Sequence, residues 1–266
     1  MARVYTIANN KGGCGKTATA VNLAAALRLR GFDVLCIDAD AQANLTACLG
    51  VEATAGRTMF DALKQRNAAY IDPVRVLNPE GRTVGRLDVL PSTRDLSAVE
   101  VGLAQERDRL TRFRTFVDKY RDQYDVVFID TPPALGLLTL SALYASDGVI
   151  ITVQPQYLAV QGLISLRDTV ENLKANGAAI LTERVLFTQY DGRKGLHRLT
   201  VEQVTAAGFP VFRTIIRDNV ALGEAPATGT DIFRYNRRSR GAVDYAALAD
   251  ELKETDKLKH YKHQQQ

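Results

Sequence analysis

The sequence predicts an α/β fold, in which a mostly parallel, twisted sheet carries helices on both faces. Near-continuous apolar runs recur along the chain, as is typical of strands that are buried on both faces. Segments of about 10–20 residues with helical periodicity separate these runs. The chain has 266 residues, of which 46% are hydrophobic and 24% charged, and this composition fits one large domain of the α/β class.

The same patterns assign the individual elements. The predicted strands are Val4–Ala8, Val34–Ile37, Leu87–Leu90, Val126–Ile129, Val149–Val153, Val185–Thr188 and Val211–Ile216. The predicted helices are Thr17–Arg30, Ser97–Tyr120, Gln161–Asn176, Thr200–Ala207 and Gly241–Lys253. Gly31 and Gly177 follow two of these helices, where glycine commonly ends a helix. We expect the second predicted helix to be long, charged and on the surface.

Domain organisation and cell compartment follow from composition. No linker rich in Pro, Gly or Ser separates two cores, so we predict a single domain, residues 1–252, and a polar, mobile C-terminal tail, residues 253–266. The tail lacks the apolar face of a membrane-binding helix, and no apolar run is long enough to span a membrane. The three cysteines fit neither a disulfide framework nor a zinc site, which predicts a reduced, cytoplasmic protein.

A glycine-rich loop follows the first predicted strand and leads into the first predicted helix. Its sequence, NKGGCGKT, covers residues 10–17. Glycines allow successive backbone N–H groups to point at phosphate oxygens, and the helix N-terminus adds partial positive charge. Lys16 is expected to contact the β- and γ-phosphates, and the Thr17 hydroxyl to coordinate Mg²⁺. The predicted nucleotide-binding residues are Lys11, Gly12, Gly13, Cys14, Gly15, Lys16, Thr17 and Ala18.

The loop differs from the ordinary phosphate-binding loop in two ways. Asn10 stands where the first glycine of G-x-x-x-x-G-K-[ST] is expected, and Lys11 is a second lysine. Because the loop wraps the phosphates between them, Lys11 and Lys16 cannot easily reach the same nucleotide. We therefore expect Lys11 to point outward, towards a nucleotide bound by a second copy of the protein.

Carboxylates follow two other predicted strands. Asp38 and Asp40 come at the end of the second strand, and Asp130 follows Val126–Ile129. The carboxyl ends of parallel strands line the crevice in which open α/β sheets bind ligands. In this position Asp40 is expected to orient or deprotonate the water that attacks the γ-phosphate. Asp130 is expected to hold Mg²⁺ through a water, opposite Thr17.

These motifs resemble those of the ParA/MinD family of deviant Walker A ATPases, and most of all the ParA/Soj-type partition ATPases. The segments that carry the resemblance are the loop KGGCGKT, DADAQAN at 38–44 and DTPP at 130–133. Ala41 stands where the family usually has proline. The resemblance extends from Arg3 to about Leu252.

The resemblance implies a P-loop NTPase fold, with ATP and Mg²⁺ as cofactors. It also implies slow ATP hydrolysis within a homodimer that sandwiches two nucleotides. In that dimer Lys11, Lys16 and Asp40 are the catalytic residues, and Lys11 acts across the interface. Asp38 has a supporting role on the magnesium side, beside Thr17 and Asp130.

Basic charge is concentrated in the C-terminal third. Residues 193–240 contain nine Lys or Arg against four Asp or Glu, an excess of five, whereas the whole chain has a net charge of +4. Such a patch can bind DNA phosphates without sequence preference. The candidate DNA-binding residues are Arg193, Lys194, Arg198, Arg213 and Arg217.

The resemblance extends to this third of the chain. Gln189–Arg193 is similar to the family segment whose arginine contacts DNA, whereas Ala221 replaces an arginine that many ParA proteins use for the same purpose. The implied function is non-specific binding of double-stranded DNA, ended when a ParB-like protein stimulates hydrolysis. The protein would then be cytoplasmic and nucleoid-associated, without a membrane partner. Thr188, Gln189 and Arg217–Val220 would flank the adenine.

One other function stays open. The same ATPase cycle could position a protein cargo instead of DNA. A metabolic relative of the nitrogenase iron-protein type would need cysteines that hold a metal cluster, and Cys14, Cys36 and Cys48 do not meet that need. His197, His260 and His263 have no partners at metal-binding spacing, so we expect no metal site on them.

Overall fold

A seven-stranded sheet forms the centre of the computed structural model, which describes residues 1–65, 68–77 and 85–260. Its strands are β1 (Arg3–Ala8), β2 (Val34–Asp38), β3 (Val74–Arg75), β4 (Leu87–Leu90), β5 (Val126–Asp130), β6 (Gly148–Val153) and β7 (Thr182–Phe187). The strand order is β3-β4-β2-β5-β1-β6-β7. All neighbours are parallel except β3 and β4. The predicted fold class is therefore confirmed.

Helices cover both faces of the sheet. They are α1 (Lys16–Arg28), α2 (Asn44–Cys48), α3 (Met59–Leu63), α4 (Leu96–Leu103), α5 (Thr111–Asp118), α6 (Leu137–Ala145), α7 (Ala159–Ala175), α8 (Gly195–Ala206), α9 (Val220–Glu224), α10 (Ile232–Asn236) and α11 (Arg240–Thr255). Along β1 the side chains alternate between two cores: Tyr5 packs in the cluster that contains α1 and α11, and Val4 in the cluster that contains α3–α6. None of the helices in the described ranges has the length and apolar content that crossing a bilayer requires.

The predicted helix Ser97–Tyr120 is wrong as one element. The chain forms α4 and α5 instead, with non-helical residues between Leu103 and Thr111. Both short helices bury apolar side chains, among them Val99 and Phe116, so they belong to the core and not only to the surface. The sequence does not predict helix α6, because the residues of this helix are apolar on nearly all of its faces. Such a segment has little amphipathic periodicity.

The predicted strand Val211–Ile216 is also wrong. This segment runs beside β7 but makes only a single bridge, between Val185 and Val211. The physical reason is a competing acceptor, since the amides of Arg213 and Thr214 both donate to the Glu251 carboxylate of α11. These amides are therefore not available to a strand ladder.

The chain beyond residue 252 continues the fold. Helix α11 extends to Thr255, past the boundary that the sequence analysis places at 252. Asp256 is buried and accepts a hydrogen bond from the Tyr5 hydroxyl at 2.6 Å. The His260 ring stacks on Phe32 with a centroid distance of 4.1 Å. Asp256, Leu258 and His260 thus contact the core, and the rest of the predicted tail, with His263, lies outside the described residues.

The contact between Tyr5 and Asp256 predicts a measurable loss of stability. Tyr5→Phe removes the hydroxyl and leaves a buried carboxylate with one donor fewer, so the free energy of unfolding should fall by about 1–3 kcal/mol. Tyr70→Phe is the matched control, since the exposed Tyr70 hydroxyl makes only a 3.3 Å bond to Gln123. Urea unfolding of both variants measures the difference. Equal losses would show that the hydrogen bond from Tyr5 to Asp256 contributes no more to the free energy of unfolding than the exposed bond from Tyr70.

Candidate nucleotide-binding site

The loop between β1 and α1 has the backbone shape that phosphate binding requires. Gly13 and Gly15 have positive φ angles of 70° and 83°, a conformation that glycine adopts without steric cost. Gly15 is also the residue that precedes α1, and it has no side chain with which to cap the helix. The first amides of α1 are therefore free to bind an anion.

A cavity of about 410 Å³ lies above this loop. Residues Gly12–Ala18 line its floor, and Asp40, Thr131 and Gln189 line its walls. These wall residues follow β2, β5 and β7, so the parallel sheet brings the carboxyl ends of separate strands to one place. The volume is typical of a small-molecule site.

The two lysines of the loop point to different places. Lys16 is buried, lines the cavity, and donates from Nζ to the Lys11 carbonyl at 3.0 Å. Lys11 is exposed, and its Nζ donates to the side chain of Gln156, in the segment between β6 and α7. Lys11 lines a separate cavity with Gln156 and Tyr157. Of the two ammonium groups, only that of Lys16 lies where it can serve a nucleotide in the 410 Å³ cavity of its own chain.

Asp130 is a buried carboxylate with an unused oxygen. Its Oδ2 accepts a hydrogen bond from the Thr17 hydroxyl at 2.7 Å, whereas Oδ1 has no partner among the described residues. Burial, followed by the charge of Asp38, raises the pKa of Asp130 to about 8. An unpartnered carboxylate oxygen beside a hydroxyl suits Mg²⁺, which binds oxygen ligands.

The donor set near Asp130 fits a cation held jointly with a nucleotide. Within residues 1–65, 68–77 and 85–260, no group of three His, Cys, Asp or Glu side chains could hold a metal ion. Phosphate oxygens and water would therefore have to complete the coordination shell around Thr17 and Asp130. Mg²⁺ characteristically binds in this way, with few protein ligands.

Asp38 and Asp40 lie in different surroundings. Asp40 lines the cavity, and its Oδ1 accepts from the Gln42 amide at 2.9 Å. Asp38 is fully buried beneath the cavity, and both of its oxygens are hydrogen-bonded. Burial raises the pKa of Asp38 to about 6, although hydrogen bonds from Thr46 oppose the shift. Asp38 therefore contacts the protein itself in this structure, and its supporting role on the magnesium side stays a prediction.

Thr46 is the functional candidate that sequence reasoning missed. It lies in α2, and both its amide and its hydroxyl donate to Oδ2 of Asp38, at 2.9 and 2.7 Å. Its position, eight residues after Asp38, belongs to no motif of the sequence analysis. Only the folded chain shows the contact.

The segment after β7 supports the glycine-rich loop. The Thr188 hydroxyl donates to the Cys14 carbonyl at 2.8 Å, and Gln189 Nε2 donates to the Gly13 carbonyl at 2.7 Å. Gln189 has a positive φ of 52°, a strained conformation for a residue with a side chain. Cys14 is buried, and its thiol donates to the Lys11 carbonyl at 3.1 Å, so this small side chain fits inside the loop.

A second cavity, of about 480 Å³, adjoins the first. It shares Gln189 with the first cavity and is also lined by Thr188 and by residues 217–220. These are the residues that the sequence analysis places around an adenine. Asn219 lines this cavity, and its Oδ1 is a buried acceptor without a hydrogen-bond partner among the described residues.

The candidate DNA-binding residues fall into two groups. Arg193, Lys194 and Arg198 lie at the turn before α8 and in its first turn. Arg193 is 91% exposed and forms an ion pair with Asp191 at 2.9 Å, and Arg198 donates to the Gly192 carbonyl. Arg213 and Arg217 lie against α11. Their partners there are acidic: Glu251 and Glu254 for Arg213, and Asp244 for Arg217.

The sheet, the glycine-rich loop and the carboxylates at the strand ends define a P-loop nucleotide-binding protein. Residues 2–182 match a family model described as an AAA domain. The chain is 40% identical over 255 residues to the sporulation initiation inhibitor protein Soj of Bacillus subtilis, covering 95% of this chain and 98% of that protein. It is 38% identical over 254 residues to the chromosome-partitioning ATPase Soj of Treponema pallidum, covering 95% and 97%. The chain belongs to the Soj/ParA family of chromosome-partitioning ATPases.

A solved structure supports the same fold. The cobyrinic acid a,c-diamide synthase of Mycobacterium smegmatis, solved with a bound ATP analogue and magnesium, is similar with a TM-score of 0.79 and 28% identity. The similarity covers 98% of this chain and 99% of that chain. An ATP analogue and magnesium are thus ligands that a protein of this fold binds.

The buried Asp130 predicts a pH-dependent gain in stability for Asp130→Asn. The pKa of this carboxyl is about 8 in the folded protein and about 4 in the unfolded chain. Between pH 4 and pH 8 the unfolded chain loses the proton that the folded protein keeps, so folding becomes less favourable as the pH rises. In protein free of nucleotide and Mg²⁺, the asparagine variant should therefore be the more stable by at least about 1 kcal/mol near pH 8, and the advantage should shrink near pH 5. Urea unfolding in EDTA at both pH values measures it.

The control for this prediction is the effect of ligand. Mg·ATP should raise the unfolding temperature of the wild type and have a smaller effect on Asp130→Asn, which lacks the charge that we expect to hold the cation. A stability difference that is the same at pH 5 and pH 8 would show that the Asp130 carboxylate is not the group responsible.

Proposed function

We propose that this chain is a DNA-partition ATPase whose homodimer encloses two Mg·ATP. The dimer binds double-stranded DNA non-specifically and leaves it when a ParB-like protein stimulates hydrolysis. The observation that carries this proposal is the opposite placement of the two loop lysines: Lys16 faces the cavity and Lys11 extends away from it. Membership of the Soj/ParA family supports the partition function.

Within one subunit, each part of the site has a role. The amides of the loop and Lys16 hold the phosphates. Thr17 and Asp130 hold Mg²⁺, which screens the phosphate charge when bound. Asp40 has its carboxylate in the same cavity and orients the water that attacks the γ-phosphate.

The second cavity is the proposed adenine site. Oδ1 of Asn219 can accept a hydrogen bond from the exocyclic amino group of adenine, which would satisfy a buried acceptor. Thr188 and Gln189 contact both the glycine-rich loop and this cavity, and so they would align base and phosphates.

The role of Lys11 across the interface predicts a selective defect. Lys11→Ala should abolish ATP-dependent dimerisation, because it removes the one loop cation that faces away from its own site. Nucleotide binding by the monomer should survive, since Lys16 and the loop amides remain. Light scattering with Mg·ATP measures the dimer, and binding of a fluorescent ATP analogue measures the monomer site.

Lys119→Ala is the matched control for this experiment. Lys119 is an exposed lysine after α5, outside both cavities of the nucleotide site. The Lys119→Ala variant should dimerise like the wild type. If Lys11→Ala dimerises equally well, the proposed action across the interface is wrong.

The proposed DNA surface centres on Arg193, Lys194 and Arg198. These cations are close together at the start of α8, and the first is almost fully exposed. Arg193 pairs with Asp191 but keeps a side chain that is 91% exposed. Arg213 and Arg217 are expected to contribute less, because they pair with carboxylates of α11 and their side chains are less exposed, 72% and 45%. Binding at this surface would place the protein in the cytoplasm, on the nucleoid.

This division of the arginines predicts unequal effects on DNA binding. With Mg·ATP, Arg193→Glu should weaken binding of random duplex DNA by at least about 10-fold at low salt and reduce its salt dependence, because a phosphate contact is lost. Arg213→Ala should have a smaller effect. Fluorescence anisotropy at several salt concentrations measures both.

Arg107→Ala, an exposed arginine between α4 and α5, is the control and should bind DNA normally. An unchanged affinity in Arg193→Glu would place the DNA site elsewhere. Absence of DNA binding by the wild-type ATP dimer would favour the alternative function, positioning of a protein cargo.

A further inference from the structure

The backbone of Asp40 is held by Asp38. The Asp40 amide donates to Oδ1 of Asp38 at 3.2 Å, and the Ala43 amide closes a turn on the Asp40 carbonyl at 2.9 Å. The Asp40 carboxylate therefore reaches the cavity from a short turn whose first anchor is the carboxylate of Asp38. If the Asp38 side chain rotates, this anchor moves with it.

Thr46 sets the orientation of the Asp38 carboxylate. Its amide and hydroxyl both donate to Oδ2, which leaves Oδ1 turned towards the Asp40 amide. A carboxylate held by two donors on one oxygen has little freedom to rotate. Thr46 and Asp38 are both buried and neither lines the nucleotide cavity, so neither contacts the nucleotide site directly.

The hydroxyl of Thr46 is itself oriented by a third element. The Ser92 amide, just after β4, donates to Thr46 Oγ1 at 3.0 Å. Because Oγ1 accepts this bond, its single proton is directed to Asp38. The chain of hydrogen bonds from Ser92 through Thr46 and Asp38 to Asp40 thus joins β4, α2 and the end of β2.

We propose that Thr46 is a positioning residue for Asp40 and acts through Asp38. The proposal rests on the proposed function, in which Asp40 orients the attacking water. Loss of the Thr46 hydroxyl removes one of the two donors on Oδ2 and leaves the Ser92 amide without an acceptor. The Asp40 carboxylate then occupies its productive position less often, while the phosphate loop is unchanged.

The test is a steady-state ATPase assay on Thr46→Val. We expect kcat to fall on the order of 10- to 100-fold, as for a misplaced catalytic group, while KM for ATP and the half-maximal Mg²⁺ concentration stay within about 2-fold. Thr46→Ser keeps the hydroxyl and should restore kcat. Thr200→Val removes a buried hydroxyl that bonds only within α8, and it should hydrolyse ATP like the wild type.

Two outcomes overturn the inference. In the first, Thr46→Val has wild-type kcat although Asp40→Ala has lost turnover; Asp40 then keeps its role and only the positioning by Thr46 is wrong. In the second, Thr46→Val lowers both kcat and the affinity for a fluorescent ATP analogue, and Thr46→Ser restores neither. The substitution would then disturb the whole nucleotide site and not the position of Asp40 alone. If Asp40→Ala itself hydrolyses ATP normally, the proposed function of Asp40 fails instead. Thr46→Ala serves as a second variant should the valine protein not fold.

Discussion

The parallel pairing of β2 with β5 is the constraint on which the site depends. Its register sets Asp38 directly beside Asp130, with β1 and its loop on the other side of β5. Two neighbouring buried carboxylates are costly, because burial and mutual repulsion both disfavour ionisation. Donors from Thr17 and Thr46 offset part of that cost, and the buried Lys16 supplies one positive charge. A divalent cation brought in by a nucleotide would supply the rest.

This constraint explains which features could be predicted from sequence. Strands buried on both faces have apolar runs, and their ends carry the carboxylates, so the core strands and the site at their carboxyl edge were predicted. Features that depend on contacts formed only in the folded chain were not predicted. Glu251 draws two amides out of the predicted strand Val211–Ile216, and Thr46 has its role only through Asp38 and Ser92. The contacts of Glu251 and Ser92 join residues far apart in the chain, and the contact of Thr46 with Asp38, eight residues away, belongs to no known motif, so none of them leaves a pattern in the sequence.

In the C-terminal third, the number of Lys and Arg residues in the sequence overestimates the accessible positive charge. The excess of five positive charges in residues 193–240 is real, but the acidic residues that balance some of it lie outside that window, in α11. Asp244, Glu251 and Glu254 pair with Arg217 and Arg213, so these two arginines are not free cations. The accessible positive charge is therefore smaller than the count suggests, and its exposed cations lie at the start of α8 and at Arg237, Arg238 and Arg240.

The basic turn before α8 follows closely after the two residues that contact the glycine-rich loop. Thr188 and Gln189 hold the carbonyls of Cys14 and Gly13, and within five residues the same segment reaches Arg193 and Lys194. Gln189 makes its contact from a left-handed conformation, which persists only where the surroundings impose it. Thr188 and Gln189 are the residues through which the proposed nucleotide site directly contacts this segment. The proposed link between ATP and DNA binding then needs one short segment, not a rearrangement of the whole domain.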